Sequence, residues 1–322
     1  MIVVTGGAGF IGSAMVAKLN EKGVTDILVV DELGTSSKWK NLLGKRFTDY
    51  LHKDAFLDAV TSDKLPKIDA VIHMGANSST TEKDVEHLME NNYRYTRRLA
   101  EWSIKKKTRF IYASSGATYG DGSFGFADDD ETSLKLSPLN AYGYSKQIFD
   151  AWLLQNKLSH KVAGIKFFNV FGPNEYHKGD MRSLVCKAYY QIEEIGKIRL
   201  FKSHKPEYKD GEQVRDFVYI KDCTEVMWWL LNTPSVNGIY NLGTGKARTW
   251  NDLAKAIFSA MNLPANIEYI EMPEQLRNAY QYHTEASIKK LSAAGCPVKF
   301  RSLEDSVKDY VQNYLHPELR YL

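Results

Sequence analysis

A tyrosine and a lysine four residues apart, Tyr142 and Lys146, are the side chains whose chemistry the sequence predicts most directly. They fall in a predicted helix over 141–157, where this spacing places both on one face. A tyrosine hydroxyl has an ordinary pKa of about 10, and a nearby ammonium group favours its ionised form. Ser114 and Ser115 follow a predicted strand just before this helix, where a hydroxyl can bind a reacting oxygen. The pattern predicts acid–base catalysis by Tyr142, Lys146 and Ser115; the alternative is a surface tyrosine above a solvated lysine.

A glycine-rich segment follows the first predicted strand, Ile2–Thr5, and reads Gly6-Gly7-Ala8-Gly9-Phe10-Ile11-Gly12 before a predicted helix. Glycines allow a pyrophosphate to approach the backbone, and the helix N-terminus offers free N–H groups and a positive dipole. Asp31 ends the second predicted strand, where a carboxylate can accept a hydrogen bond from a ribose hydroxyl. The pattern predicts a dinucleotide site that includes Gly6, Gly9, Gly12 and Asp31. The alternative is a tight strand–helix turn that binds nothing.

The elements that must position these residues alternate between strands and helices through residue 168. This order predicts an α/β fold, a doubly wound parallel Rossmann sheet. Two further strands are predicted at Arg215–Tyr219 and Ile239–Gly243. We expect a dinucleotide-binding domain of residues 1–168, about 214–243 and 281–300. A second, smaller, discontinuous α/β substrate lobe is expected from residues 169–213, 244–280 and 301–322, and it would close over a ligand at the carboxyl ends of the strands.

Length and composition are consistent with this organisation. The chain has 322 residues, enough for two domains, with 43% hydrophobic and 25% charged residues. A net charge of +3 gives no reason to expect nucleic acid or an acidic membrane as a partner. The three cysteines, Cys186, Cys223 and Cys296, are far apart, which argues against a disulfide framework and against a metal site. Without a recognisable targeting segment or a long apolar run, we expect a cytoplasmic protein.

The motifs together resemble the extended short-chain dehydrogenase/reductase family of nucleotide-sugar enzymes. The resemblance covers essentially the whole chain and depends on the glycine-rich segment, Ser114–Gly120, Tyr142 with Lys146, and Asn169–Pro173. A 4,6-dehydratase of this family would carry an Asp-Glu pair where this chain has Gly116-Ala117, so elimination is not expected. Within the family the chain is most similar to the ADP-heptose 6-epimerases. That similarity is carried by Asp26–Asp31, Ser78–Glu82, Asn91–Tyr93, His177–Gly179 and Arg215–Tyr219.

This resemblance implies an isomerase that inverts C6 of an ADP-linked heptose by transient hydride transfer, for the inner core of bacterial lipopolysaccharide. The keto-sugar must turn between oxidation and reduction, so a second acid/base is needed, and the resemblance assigns it to Lys178. A homo-oligomer, a pentamer in the family, is also implied. The alternatives are another nucleotide-sugar epimerase, such as a UDP-hexose 4-epimerase, and a non-catalytic dinucleotide-binding sensor.

The resemblance also implies which residues bind the ligands. NADP would be bound by Phe10, Ile11, Asp31, Lys38, Lys53, Met74, Gly75, Ala76, Asn77, Ser78, Asn91, Lys146 and Val170. The substrate would be bound by Ser115, Asn169, Asp180, Lys187, Phe201, Lys202, Ser203, His204, Arg215 and Tyr280. Glu32 departs from the family, which commonly has a neutral side chain at this position of the cofactor site. A second acid beside Asp31 would repel a 2′-phosphate. NAD therefore stays a possible cofactor.

Overall fold

The computed structural model describes residues 1–277, 280–317 and 320–322. Its strands in chain order are β1 (Ile2–Thr5), β2 (Ile27–Asp31), β3 (Asp49–His52), β4 (Ala70–His73), β5 (Arg109–Ser115), β6 (Ala163–Phe167), β7 (Asn169–Phe171), β8 (Ile198–Phe201), β9 (Val214–Arg215), β10 (Phe217–Tyr219), β11 (Gly238–Leu242), β12 (Arg248–Thr249) and β13 (Ile267–Ile270).

The α-helices of the described residues are α1 (Phe10–Glu21), α2 (Lys53–Thr61), α3 (Val85–Leu88), α4 (Tyr95–Lys106), α5 (Asp130–Lys135), α6 (Ala141–Gln155), α7 (Leu184–Ile195), α8 (Ile220–Asn232), α9 (Trp250–Ala260), α10 (Glu274–Arg277), α11 (Lys289–Ala293) and α12 (Leu303–Tyr310). A π-helical turn, Met89–Arg94, joins α3 to α4. A 3₁₀ segment, Tyr176–Met181, precedes α7. None of the helices in the described ranges is both long and apolar enough to cross a bilayer.

Seven strands form the central sheet in the order β11-β6-β5-β4-β1-β2-β3, and all neighbouring pairs are parallel. The predicted doubly wound Rossmann sheet is therefore confirmed. The chain runs outward from β1 through β2 and β3, then returns to the other side of β1 to form β4. This reversal opens a crevice at the carboxyl ends of β1 and β4, the usual place for a ligand in such a sheet.

Helices cover both faces of the sheet because successive strand residues point in opposite directions. Along β1, Val3 packs into a core with Phe56 of α2 and Phe149 of α6. Its neighbour Val4 belongs to the core on the other face, which includes Met15 of α1. Both strand residues are fully buried, so the sheet is a rigid platform for the side chains at its carboxyl edge.

Three small two-stranded sheets involve the second half of the chain: β7 with β10, β9 with β12, and β8 with β13. The single strand predicted over Arg215–Tyr219 is wrong in detail, since it breaks at Asp216 into β9 and β10. The buried Asp216 carboxylate accepts N–H hydrogen bonds from Thr244, Gly245 and Ala286. These bonds fix the Asp216 side chain between the two strands, and its backbone carbonyl still accepts from the Asn169 N–H at 3.1 Å.

Candidate active site

A cavity of about 1150 Å³ opens at the carboxyl edge of the sheet, between the glycine-rich turn, α6, α7 and β8. A smaller cavity of about 170 Å³ adjoins it beyond the end of β2. Gly6, Asp31, Lys38 and the turn after β4 line both, so the two form one continuous groove. Its position at the strand reversal is the usual place for a bound ligand in such a sheet.

The glycine-rich turn has no room for side chains. Gly6 adopts a left-handed conformation with φ of +63°, and a Cβ there would lie 2.6 Å from the amide nitrogen of Gly75. A Cβ on Gly12 would lie 2.1 Å from the Gly6 carbonyl oxygen. Helix α1 follows with no capping side chain at Gly9, so its first N–H groups stay available to an anion. This cradle fits the pyrophosphate of a dinucleotide.

Charged side chains surround the end of β2. The Asp31 carboxylate accepts N–H hydrogen bonds from Ala8 at 2.8 Å and Glu32 at 2.7 Å. Lys38 Nζ lies 2.7 Å from Asp31 Oδ1, and Lys53 Nζ lies 2.6 Å from Glu32 Oε2. Both lysines expected near a 2′-phosphate are thus paired with carboxylates.

Tyr142 and Ser115 meet on the floor of the large cavity. Helix α6 begins at Ala141, capped by Asn140, so Tyr142 lies in its first turn beside the end of β5. Burial raises the pKa of Tyr142, and a hydrogen bond with Ser115 opposes that rise. Ser115 therefore favours the ionised hydroxyl, as a base at this position requires.

Lys146 lies one turn further along α6 and is 4% exposed. Its Nζ donates to the carbonyl oxygen of Ala113 at 2.9 Å rather than to Tyr142. Burial lowers the pKa of Lys146 to about 8, against an opposing attraction to Asp150. Lys146 therefore lies in the cavity wall, where it can donate a further hydrogen bond to a ligand.

Lys178 reaches the same cavity from the 3₁₀ segment Tyr176–Met181. Its Nζ lies 5.5 Å from the centroid of the Phe10 ring. Burial lowers its pKa, and the negative charge of Glu175 acts in the opposite direction. The lowered pKa makes the Lys178 ammonium a stronger acid than that of a fully solvated lysine.

Two histidines nearby are held uncharged. His177 lines the cavity and its Nδ1 lies 3.2 Å from Asn41 Nδ2; burial and the adjacent Lys178 lower its pKa to about 4. His73, at the end of β4, is buried between the hydroxyls of Thr5 and Thr96, and burial lowers its pKa to about 3. Neither is a cation at neutral pH.

The comparisons with known proteins agree with this geometry. Residues 2–243 match the family model described as NAD dependent epimerase/dehydratase family. The chain belongs to this family. It is 62% identical, over 98% of each chain, to ADP-L-glycero-D-manno-heptose-6-epimerase of Nitratidesulfovibrio vulgaris strain Hildenborough.

Solved structures extend the comparison. The Helicobacter pylori ADP-L-glycero-D-manno-heptose-6-epimerase superposes with a TM-score of 0.81 at 29% identity, over 98% of this chain and 96% of that one. A Bacillus cereus UDP-glucuronic acid 4-epimerase, solved with UDP-glucuronic acid and NAD, has a TM-score of 0.75 at 25% identity, covering 97% and 99% of the two chains. This chain is thus an epimerase of the family in sequence and in fold.

In this epimerase the groove brings together all the side chains expected at the catalytic and cofactor positions. The large cavity is lined by Gly6, Gly9, Phe10, Ile11, Gly12, Asp31, Lys38, Met74, Gly75, Ala76, Asn77, Ser78, Ser115, Tyr142, Lys146, Val170 and Lys178. Glu32, Lys53 and Asn91 line the small one. The roles assigned to these residues stay predictions.

The expected substrate residues divide into two groups. Ser115, Asn169, Lys187, Phe201 and Tyr280 line the large cavity. Asp180, Lys202, Ser203, His204 and Arg215 are absent from its described wall.

The second group has other partners. Lys202 forms an ion pair with Glu271, and the backbone carbonyl of Asp180 accepts from Lys187 Nζ at 3.2 Å. Arg215 lies behind the wall, because its guanidinium stacks 5.1 Å from the ring centroid of Tyr280. It therefore supports a residue that faces the cavity.

Several polar residues of the cavity wall were missed by sequence reasoning, namely Ser36, Ser79, Arg182, Gln191 and Arg199. For Gln191, the sequence contains a pattern that could have indicated its place in the wall. Ser183, the N-cap of α7, is followed at four-residue intervals by Lys187 and Gln191, so the three lie along one side of this helix. Glu175 was also missed, and no local pattern marks it. Its buried carboxylate accepts from the Gly172 N–H and the Ser183 hydroxyl and so ties the two ends of the segment that carries Lys178.

Proposed function

We propose that this epimerase interconverts ADP-D-glycero- and ADP-L-glycero-D-manno-heptose by inverting C6. The similarity to heptose epimerases along nearly the whole chain supports this substrate. The observation that carries the chemistry is that Tyr142 and Lys178 line one cavity from two different elements, α6 and the 3₁₀ segment. An inversion needs such an arrangement, because the oxygen at C6 changes place when the sugar turns.

A nicotinamide dinucleotide fits the groove, since the cradle at Gly6 and Gly12 excludes side chains and α1 presents free N–H groups. When bound, it supplies reversible hydride transfer at C6. We propose NADP as this cofactor, with Lys38 and Lys53 placed near the ribose. NAD, seen in the structure of the Bacillus cereus relative, is the alternative.

The protein's own residues control the protons. In one orientation of the sugar, Tyr142 takes the proton of the C6 hydroxyl while Ser115 holds the oxygen. In the other orientation, Lys178 serves the C6 oxygen, donating a proton to the alcohol as it forms. Lys146 supports Tyr142 electrostatically and offers its ammonium to the cofactor ribose. One inversion leaves Tyr142 with an added proton and Lys178 without one, so both groups exchange a proton with solvent before the next turnover in the same direction.

We further propose that the ranges 1–168, about 214–243 and 281–300 bind the cofactor. The ranges 169–213, 244–280 and 301–322 would bind the sugar nucleotide; residues 278–279 and 318–319 of these lie outside the described residues. A role in lipopolysaccharide inner-core synthesis and a homo-oligomeric state are proposed on the resemblance alone, and a cytoplasmic location stays an expectation.

The test is to incubate the purified protein with ADP-D-glycero-D-manno-heptose in D₂O and to follow C6 by NMR and mass spectrometry. We expect inversion at C6 without deuterium incorporation, because a returned hydride never exchanges with water. Deuterium at C6 would contradict hydride return. Turnover of a UDP-hexose instead of the heptose would indicate a 4-epimerase, and binding of cofactor without turnover of either sugar would indicate a sensor.

A further inference from the structure

Four charged side chains at the end of β2 form two ion pairs of different character. Asp31 pairs with Lys38 at 2.7 Å, and Glu32 pairs with Lys53 at 2.6 Å. The four charges sum to zero. A 2′-phosphate entering this region therefore meets no unpaired cation among these four residues and must take a lysine from a carboxylate.

The inner pair, Asp31 with Lys38, is held in place. Asp31 is 7% exposed, and its two carboxylate oxygens also accept the N–H groups of Ala8 and Glu32. Drawing Lys38 away would leave a buried carboxylate without its counter-ion, which is strongly unfavourable. This pair is therefore a fixed part of the site.

The outer pair, Glu32 with Lys53, can open. The Glu32 side chain is 53% exposed, and within the described ranges Lys53 is the one cation with which it forms an ion pair. Lys53 also donates to Asn91 Oδ1 at 3.0 Å, so it stays in position when Glu32 rotates into solvent. Breaking the Glu32–Lys53 ion pair requires little free energy, because exposed ion pairs contribute little to stability.

We propose that Glu32 determines the preference between NADP and NAD by competing with the 2′-phosphate for Lys53. With NADP, the phosphate replaces the Glu32 carboxylate on Lys53, while Asn91 keeps the lysine in place. With NAD, the Glu32–Lys53 pair stays closed beside the ribose hydroxyls. The carboxylate thus lowers the affinity for NADP without affecting NAD. This proposal rests on the proposed cofactor site.

The chemistry of the competition follows from charge. A phosphate monoester carries close to two negative charges at neutral pH and accepts charge-assisted hydrogen bonds strongly. It can therefore displace one carboxylate from an ammonium group, but Glu32 remains nearby and repels it. Replacing Glu32 by glutamine removes both the competition and the repulsion while keeping the size of the side chain.

The experiment measures the dissociation constants of NADP and NAD by calorimetry on protein stripped of nucleotide. We expect Glu32→Gln to tighten NADP about tenfold and to leave NAD within about twofold. Lys53→Met should weaken NADP about tenfold and spare NAD. In the Lys53→Met background, Glu32→Gln should give a smaller gain for NADP, because the relief of repulsion remains but no lysine is freed. Glu90→Gln, which removes an exposed acid paired with Arg94, is the control for net charge.

An unchanged ratio of the two affinities in Glu32→Gln, with NADP still bound, would overturn this inference and leave the proposed cofactor standing. A tenfold gain that persists in full without Lys53 would overturn the competition for that lysine. Failure of both the wild type and Glu32→Gln to bind NADP would overturn the proposed NADP site together with the inference.

Discussion

Replacing Asp150 by asparagine tests a buried charge network behind the active site. Asp150 and Lys166 are both 0% exposed and form an ion pair at 2.6 Å. Asp150 also accepts from the hydroxyls of Tyr112 at 2.8 Å and Ser114 at 2.6 Å. The network therefore joins α6, which carries Lys146, to the end of β5.

The expected loss of stability in Asp150→Asn follows from the kind of interaction that the substitution removes. An asparagine can keep an oxygen towards Lys166 and Ser114, with its amide towards the Tyr112 oxygen, so the hydrogen bonds can largely survive. The charge does not, and Lys166 becomes a buried cation whose remaining partners are all neutral: the new amide oxygen, the hydroxyl of Thr118 at 2.9 Å and the ring of Tyr119 at 5.3 Å. Removing one partner of a buried ion pair typically costs about 3–5 kcal/mol. We expect Asp150→Asn to lower the free energy of unfolding by that amount.

Urea unfolding of the wild type, Asp150→Asn, Lys166→Met and the double variant measures this cost and the coupling between the two residues. The double variant should be more stable than the sum of the single losses predicts, because it has no uncompensated charge. A loss below about 1 kcal/mol in Asp150→Asn, with an unchanged denaturant slope, would refute the reasoning, since it would mean that water or another group already screens Lys166.

Three further predictions concern the catalytic groups. Tyr142→Phe should keep the fold and the bound cofactor but lose at least about 100-fold in turnover, measured by NMR on ADP-heptose; more than a tenth of wild-type turnover would contradict an acid/base role. Lys178→Met should retain cofactor and block net inversion in both directions, and near-normal inversion would move the second base to another residue, His177 being the first to examine. The pKa of Lys146, about 8 in the fold against 10.5 when unperturbed, means that the unfolded chain binds more protons between these values. The contribution of Lys146 to stability should therefore rise from about pH 8 to 10.5, and urea unfolding should show a flatter pH dependence for Lys146→Met than for the wild type across this interval.

Local spacing made much of the fold predictable, including the shared helix of Tyr142 and Lys146. The strand–glycine–helix order around Gly6 and the four-residue interval from Tyr142 to Lys146 are short-range patterns, and each specifies its geometry without distant partners. Alternating strands and helices likewise predicted the parallel sheet, because such connections leave few other arrangements. The hydrogen bonds of the Asp216 carboxylate were not predictable, since its three N–H donors come from residues far along the chain.

Charge pairing was decided by the tertiary structure. The sequence by itself determined that Asp31, Glu32, Lys38 and Lys53 are present, and resemblance placed them near a cofactor. It could not determine that each lysine is already neutralised by a carboxylate. Asp31 and Lys38 are brought together by the chain's turn beyond β2, and Glu32 and Lys53 by the start of α2 beside that strand. The strength of an electrostatic interaction depends on separation and burial, and both exist only once the chain is folded.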